Sequence, residues 1–209
     1  MTIDIARLVG AVSRELTTRE HEGKPARVLV ARRTYDTGID DLWDAITTPA
    51  RLERWFSPVS GDLRLGGRYQ LEGNAGGEVT ACDPPHRLGL TWEFGGETSW
   101  VVVQLERVDA DQTRLRLEHV AHVPDDFWNR YGPGATGVGW EHGLFGLDLL
   151  LAGGLVSPKE AEAWLGSDAG KSFTRQISDG WCEASIQAGT DEAAARAAAN
   201  ETTSFYTEG

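Results

Sequence analysis

Short runs of alternating apolar and polar residues recur along the middle of the chain, and turn sequences separate them. The runs cover residues 62–65, 68–71, 78–82, 87–94, 99–107 and 113–122. Gly66-Gly67, Asp83-Pro84-Pro85 and Gly95-Gly96 stand between some of them. A period of two is typical of strands that bury one face. Short strands joined by tight turns predict an antiparallel meander.

The parity of the apolar positions predicts which face of each strand points inward. The apolar face comprises Leu88, Leu90, Trp92 and Phe94 in one run, and Leu115, Leu117 and His119 in the last run. Side chains at every second position of a strand share a face. We therefore expect these residues on the concave side of a sheet, packed against a helix.

Two elements are predicted ahead of the meander. Apolar residues at helical spacing between Ile3 and Val12 predict a short amphipathic helix. Residues 15–20 and 27–31 then resemble the two arms of a hairpin that turns at Gly23. The second arm is the first strand of the main sheet in this interpretation.

Residues 34–56 interrupt the strand pattern. They predict the end of a strand, a tight turn and two short helices separated by Pro49. Asp40 is placed to cap the first helix, and a proline suits the first turn of the second. With Trp43 toward the core and Trp55 near the rim, this pair of helices would close one end of the sheet.

The strongest helix pattern spans residues 140–151, after an irregular stretch from Pro124 to Gly139. It is apolar on more than one side. A surface helix needs only one apolar stripe, so this helix should be buried on the sheet and partly covered outside as well.

The C-terminal part predicts further helices. Ser157-Pro158-Lys159-Glu160 has the residues of a capping box with proline at the first position. A helix from about Asp168 to Ala188 follows, and an alanine-rich helix runs from Thr190 to about Phe205. The first of these two carries the stripe Phe173, Ile177 and Trp181. The stripe needs a surface, which is either the domain itself or a second copy of the chain.

Composition narrows the function classes. The chain has 209 residues and a formal net charge of -12, and an acidic surface repels phosphate backbones, so no nucleic-acid partner is expected. No apolar run approaches the roughly 18 residues of a membrane span.

Cys82 and Cys182 are expected to be free, buried thiols in a reducing compartment. The N-terminal sequence has no positively charged export signal, so we expect a cytoplasmic protein.

Four motifs together resemble a known family. They are Ile39–Pro49 with Arg54-Trp55-Phe56; Gly66-Gly67-Arg68-Tyr69; Pro84–Leu88 with Thr91-Trp92-Glu93; and Thr113–His119. In this order they resemble the SRPBCC (START-like) superfamily, in a branch similar to the C-terminal domain of heat-shock chaperone ATPase activators. The resemblance covers roughly residues 26–152. It implies an α+β helix-grip fold, in which a curved antiparallel sheet surrounds a long C-terminal helix and a cavity lies between them.

The resemblance also suggests a division of the chain. Residues 1–25 would form an N-terminal helix and hairpin arm, residues 26–155 the helix-grip ligand-binding domain, and residues 156–209 a helical C-terminal extension. The arm and the extension depart from the minimal family domain. The extension is also where a homodimer would form.

The family does not imply one function, because its members bind lipids and polyketides, cyclise or hydrolyse small molecules, or act as co-chaperones. The leading hypothesis is a protein that binds a small hydrophobic molecule in the internal cavity. A cyclase or hydrolase of polyketide type and a protein-interaction module that acts on a chaperone are the alternatives. No metal or cofactor is predicted. The candidate ligand-binding residues are Trp55, Tyr69, Trp92, His119 and Trp140.

His119 can be interpreted in two ways. On the predicted concave face it could serve as a hydrogen-bonding group or general base. The alternative is a core histidine satisfied by a backbone carbonyl, which is favoured because no neighbouring acid can be assigned. His122, three positions later, should point to the opposite face, so the two histidines cannot share a metal ion.

Two further patterns resemble functional motifs. Residues 132–137 match the glycine spacing of a dinucleotide-binding turn, but no parallel strand-helix-strand unit surrounds them. A hinge or lid over the cavity is the favoured interpretation, and an anion site at the helix start is the alternative. Glu141 and Asp148 lie seven residues apart on one helix face. A solvated face or salt bridges to the tail are favoured over acid-base chemistry.

Overall fold

The computed structural model describes residues 4–153 and 157–208. The elements in chain order are α1 (Ile5–Gly10), β1 (Val12–His21), β2 (Lys24–Tyr35), α2 (Ile39–Thr47), α3 (Pro49–Trp55), β3 (Val59–Gly61), β4 (Arg68–Leu71), β5 (Gly76–Asp83), β6 (Arg87–Phe94), β7 (Glu97–Arg107), β8 (Thr113–Ala121), α4 (Asp125–Tyr131), α5 (Gly134–Leu151), α6 (Pro158–Leu165), α7 (Asp168–Gln187) and α8 (Glu192–Glu208).

The strands form one antiparallel sheet of eight strands in the order β1-β2-β8-β7-β6-β5-β4-β3. The predicted hairpin is present, and His21 pairs with Lys24 across its turn. The rest is a meander that runs outward from β8 to β3. Strand β2, the end of the hairpin, pairs with β8, the end of the meander, so α2 and α3 are inserted between neighbouring parts of one sheet. The predicted α+β helix-grip fold is confirmed.

Helix α5 is buried on both sides, as its pattern predicts. Its described residues include buried side chains that face the sheet and others that face α7. The stripe Phe173, Ile177 and Trp181 is buried in the same core cluster as Leu144 and Phe145 of α5. The stripe therefore packs on the chain's own core. A homodimer through other faces of the C-terminal helices stays a prediction, and so does the division into three parts.

The sequence misplaced one strand. The predicted run 62–65 is a bend and turn, and the third strand lies just before it, at Val59–Gly61. Gly61 has φ +110°, and a Cβ there would overlap the Arg68 carbonyl. This backbone geometry directs the chain out of the sheet. Leu63, in the bend, is 39% exposed and reaches the cavity described below.

The stretch from Pro124 to Gly139 is not irregular. It contains α4 and the first turns of α5. The hinge or lid stays a prediction. Gly137 lies against the Trp181 indole, where a Cβ would overlap the ring, and Gly134 lies against Thr202. The glycines therefore allow α7 and α8 to approach α5 closely. This close packing explains the glycine spacing better than a phosphate-binding turn does.

Helix ends agree with the sequence in part. Pro49 is the first residue of α3, and Ser157 and Glu160 form the predicted capping box of α6. The predicted cap by Asp40 is wrong, because Gly38 is the N-cap of α2 and no side chain caps it. Helix α1 is shorter than the predicted Ile3–Val12, since Val12 already begins β1. Residue 3 lies outside the described residues.

Candidate functional site

A cavity of about 380 Å³ lies between the concave face of the sheet and the helices α2, α3 and α5. We refer to it as the main cavity. The sheet contributes Tyr69, Leu71, Val79, Leu88, Leu90, Trp92, Val101, Val103, Leu115 and Leu117 to its wall. The helices contribute Trp43, Ile46, Thr47, Leu52, Trp55, Trp140, Gly143, Leu144 and Leu147, and Phe56 follows α3. The two short helices thus close one end, as the sequence predicts.

No charged side chain belongs to the wall of the main cavity, among the residues that the structure describes. Two of the polar groups that belong to wall residues are hydrogen-bonded within the protein. The Tyr69 hydroxyl donates to the Thr91 carbonyl at 2.7 Å, and the Trp55 indole nitrogen donates to the Ala45 carbonyl at 2.9 Å. Burial raises the pKa of Tyr69, so its hydroxyl stays protonated. The wall is therefore apolar and electrically neutral.

The main cavity meets the surface at one end. Its lining there includes Leu63, which is 39% exposed, together with Pro84 and Cys82. Cys82 is an exposed free thiol, so the prediction that both cysteines are buried is wrong for this residue. It lies near the end of β5, where the strand leaves the covered part of the sheet. Cys182 is free and buried, as expected.

A second cavity of about 430 Å³ lies beyond the main one. Phe56, Trp92 and Trp140 line both cavities and so separate them. The second cavity is more polar, because Asn74, Glu97, Thr98, Ser99, His119 and His122 contribute to its wall. Phe94, predicted on the concave face, is 60% exposed and lines this second cavity, since β6 extends past the end of the main one.

His119 belongs to the second cavity and not to the main one. Its Nδ1 accepts a hydrogen bond from the Trp140 indole at 2.8 Å, and its Nε2 lies 2.8 Å from the Ser99 hydroxyl. Burial lowers the pKa of His119 to about 4, so the imidazole is neutral at pH 7. Its partners are side chains, whereas the sequence favoured a backbone carbonyl.

The five candidate residues are therefore divided between the two cavities. Trp55, Tyr69, Trp92 and Trp140 line the main cavity, and His119 lies behind Trp140. His119 and His122 both line the second cavity, contrary to the opposite faces expected, because β8 ends at Ala121 and strand alternation stops there. Sequence reasoning did not include Trp43 and Ile46 in the site, although their spacing of three residues on α2 places them on one face.

Glu141 and Asp148 bind the hairpin instead of the tail or solvent. Arg14 on β1 donates two hydrogen bonds to Glu141, at 2.5 and 2.7 Å, and Arg33 on β2 donates to Asp148 at 2.5 Å. Burial is the main reason that the pKa of Glu141 is raised, and Arg14 opposes it. These carboxylates do not line the main cavity. They attach α5 to the two hairpin strands, β1 and β2.

No group of three or more His, Cys, Asp or Glu side chains that could hold a metal ion occurs in residues 4–153 and 157–208. Within the same ranges, no helix is both long and apolar enough to cross a bilayer.

Comparison with known proteins identifies the family. The family model described as "Activator of Hsp90 ATPase homolog 1-like protein" matches residues 36–152. The crystal structure of CalU16 from Micromonospora echinospora is 31% identical, with a TM-score of 0.68, and the match covers 83% of this chain and 98% of CalU16. The solution structure of CalU16 gives 32% identity and a TM-score of 0.72, covering 86% of this chain and 97% of CalU16.

A more distant structure, MLL2253 from Mesorhizobium loti, is 26% identical with a TM-score of 0.53, and the match covers 60% of this chain and 97% of that one. A comparison with curated proteins gave no match. The family model spans more than half of the chain, and the CalU16 match extends well beyond that model's residues. The chain therefore belongs to the activator of Hsp90 ATPase homolog 1-like family, within the SRPBCC (START-like) superfamily that its motifs indicate.

Proposed function

We propose that this protein binds a small, uncharged and largely apolar molecule in the main cavity. The observation that carries the proposal is the neutral, apolar wall around about 380 Å³. This volume is in the range of small-molecule sites, which are concave and mostly apolar. Trp55, Tyr69, Trp92 and Trp140 would contact the ligand.

The chemistry of the wall favours an uncharged ligand over a charged one. Apolar surface transferred from water gains about 25 cal/mol per Å², so aromatic and aliphatic walls favour apolar molecules. An anion or cation in the cavity would lose its hydration without gaining an ion pair, which costs far more than the apolar contacts return. Any charged group of the ligand would therefore have to remain at the open end near Leu63 and Cys82.

The cyclase or hydrolase alternative gains no support from the main cavity. General acid-base catalysis needs a titratable group within hydrogen-bond reach of the substrate. Tyr69 uses its proton to bind the Thr91 carbonyl, and His119 is held behind Trp140 with both ring nitrogens engaged. The geometry thus favours binding over catalysis. A cytoplasmic location stays a prediction from the sequence.

A matched pair of fluorescent dyes tests the proposal. N-phenyl-1-naphthylamine is uncharged, and 8-anilinonaphthalene-1-sulfonate carries a sulfonate on the same ring framework. We expect the neutral dye to bind with 1:1 stoichiometry and at least about 10-fold more tightly, because the sulfonate finds no counter-charge. Equal affinity for the two dyes, or no saturable binding of the neutral one, would contradict the proposal.

The family match favours a second candidate, stimulation of an Hsp90-type chaperone. The family's name refers to activation of the Hsp90 ATPase, and the family model matches residues 36–152. A steady-state ATPase assay of an Hsp90 chaperone with increasing amounts of this protein tests it. Activation that saturates with this protein would support the candidate, and an unchanged rate at large excess would rule it out.

A further inference from the structure

The wall between the two cavities consists of aromatic side chains. Trp140 lies between the others, with ring centroids 4.9 Å from Trp92 and 6.4 Å from Phe56. All three side chains are only half-buried. Rotation of side chains about their torsions is fast compared with backbone rearrangement. Because Trp140 lines both cavities, its movement would join them.

A chain of hydrogen bonds holds Trp140 in place. Its indole N–H donates to His119 Nδ1 at 2.8 Å. The neutral imidazole then carries its proton on Nε2, which donates to the Ser99 hydroxyl at 2.8 Å. The Ser99 hydroxyl donates in turn to the Trp92 carbonyl at 3.2 Å. The donor and acceptor roles of these three hydrogen bonds are mutually consistent. The Trp140 indole N–H, both His119 ring nitrogens and the Ser99 hydroxyl each have a partner.

The same network makes the opening of the wall selective. When Trp140 moves away, His119 Nδ1 loses its donor while it remains buried, and a buried acceptor without a partner is unfavourable. A ligand with a hydroxyl group at that point would replace the indole N–H. A purely apolar ligand would leave Nδ1 unpaired. Beyond His119, the wall offers further polar groups in Asn74, Glu97 and Thr98.

We propose that the two cavities form one elongated site for an apolar molecule that carries a hydroxyl group, with Trp140 as the movable partition and His119 Nδ1 as the hydroxyl acceptor. The proposal rests on the proposed function, since the apolar part of the ligand occupies the main cavity. It adds the ligand's shape and the position of its polar group. It also assigns His119 a role in selectivity.

Displacement of N-phenyl-1-naphthylamine by two series of compounds tests this. One series is the linear 1-alkanols from octanol to hexadecanol, and the other is the 1-methoxyalkanes of the same chain lengths, which lack the O–H donor. Compounds that fit within the main cavity should compete equally well in both series. Beyond that length, the alcohol should compete roughly 3- to 10-fold more strongly than its ether, as expected for one net hydrogen bond.

Three variants connect this preference to the two residues. His119→Phe should abolish the alcohol preference and keep the binding of short compounds. His142→Phe is the matched control, because His142 is a half-buried histidine that also contacts a hydroxyl, that of Thr174, but it lines neither cavity. Trp140→Phe removes the indole N–H and keeps a ring, so the alcohol preference should increase. Because Trp140→Phe retains His119, it also provides the answer if His119→Phe does not fold.

The outcomes separate this inference from the proposed function. If no compound of either series displaces the dye, both fail. If both series compete but show no alcohol preference at any length, the main cavity binds and the elongated site is wrong. A preference that is unchanged in both His119→Phe and Trp140→Phe would also contradict the role of His119, and would leave the proposed function standing.

Discussion

His119 shows how one residue can have a predictable position and an unpredictable role. Strand parity places it on the concave face with Leu115 and Leu117, and it lies there. Its partners come from β7 and α5, 20 and 21 positions away in the sequence. Such contacts depend on tertiary packing, which no local pattern encodes. The distinction between a general base and a fixed neutral acceptor therefore required the structure.

The neutral state of His119 predicts how stability responds to acid. Burial lowers its pKa in the folded protein from 6.5 to about 4. Between these values the unfolded chain binds more protons, so the free energy of unfolding decreases as the pH falls from 7 to 5. The expected loss from this residue is about 2 kcal/mol.

Urea unfolding of the wild type and of His119→Phe at several pH values measures this effect. The variant should lose about 2 kcal/mol less than the wild type between pH 7 and pH 5, whatever its stability at pH 7. His142, whose pKa burial also lowers to about 4, should give a similar difference in His142→Phe. Parallel curves for the wild type and His119→Phe would show that the imidazole is not held neutral.

At the scale of elements, the pattern of apolar residues predicted most of the fold. The hairpin, the meander and the buried helix α5 could be predicted from local periodicity and turn residues. The prediction of a strand at residues 62–65 was wrong because four alternating residues occur equally well in a bend. The path of the backbone after Gly61 depends on its contact with Arg68. The prediction of an irregular stretch at residues 124–139 was wrong because glycines such as those at 134 and 137 normally weaken a helix. Here they allow Thr202 and Trp181 to pack against the helix.

The ion pair between Arg14 and Glu141 fixes β1 to α5, and its loss should be costly. The Arg14 and Glu141 side chains are 9% and 2% exposed. Arg14→Met leaves a buried carboxylate without its partner, and the free energy of unfolding should decrease by about 3–5 kcal/mol. Thermal or urea unfolding measures it.

The double variant Arg14→Met, Glu141→Leu is the control for this prediction. Replacement of both charges with apolar side chains leaves no unpaired ion, so it should recover more than half of the loss. A surface pair such as Arg196 with Glu192, whose side chains are 54% and 66% exposed, should change stability by less than about 1 kcal/mol when broken. A similarly small effect of Arg14→Met would mean that the buried pair does not hold the hairpin.

For the whole molecule, residues near the N-terminus, in the sheet and in the C-terminal helices contribute to one hydrophobic core. Leu8 comes from α1, Val12 from β1, and Phe173, Ile177 and Trp181 from α7. The α7 residues among them cover the side of α5 that faces away from the sheet. The cavity remains on the other side, between α5 and the meander. Helix α7 thus supports α5 without filling the main cavity.

The central claim is that the main cavity is the binding site, and one pair of variants tests it most directly. Val103 on β7 lines the cavity, whereas Val102 points to the opposite face of the same strand. Val103→Trp places an indole in the cavity, and Val102→Trp makes the same substitution outside it.

The measurement is the dissociation constant of N-phenyl-1-naphthylamine for the wild type and both variants, each checked for cooperative unfolding. We predict that Val103→Trp weakens binding at least about 10-fold, because the ligand and the new indole compete for the same space. Val102→Trp should bind within about 2-fold of the wild type. Equal binding by Val103→Trp and Val102→Trp would contradict the assignment of the main cavity as the site.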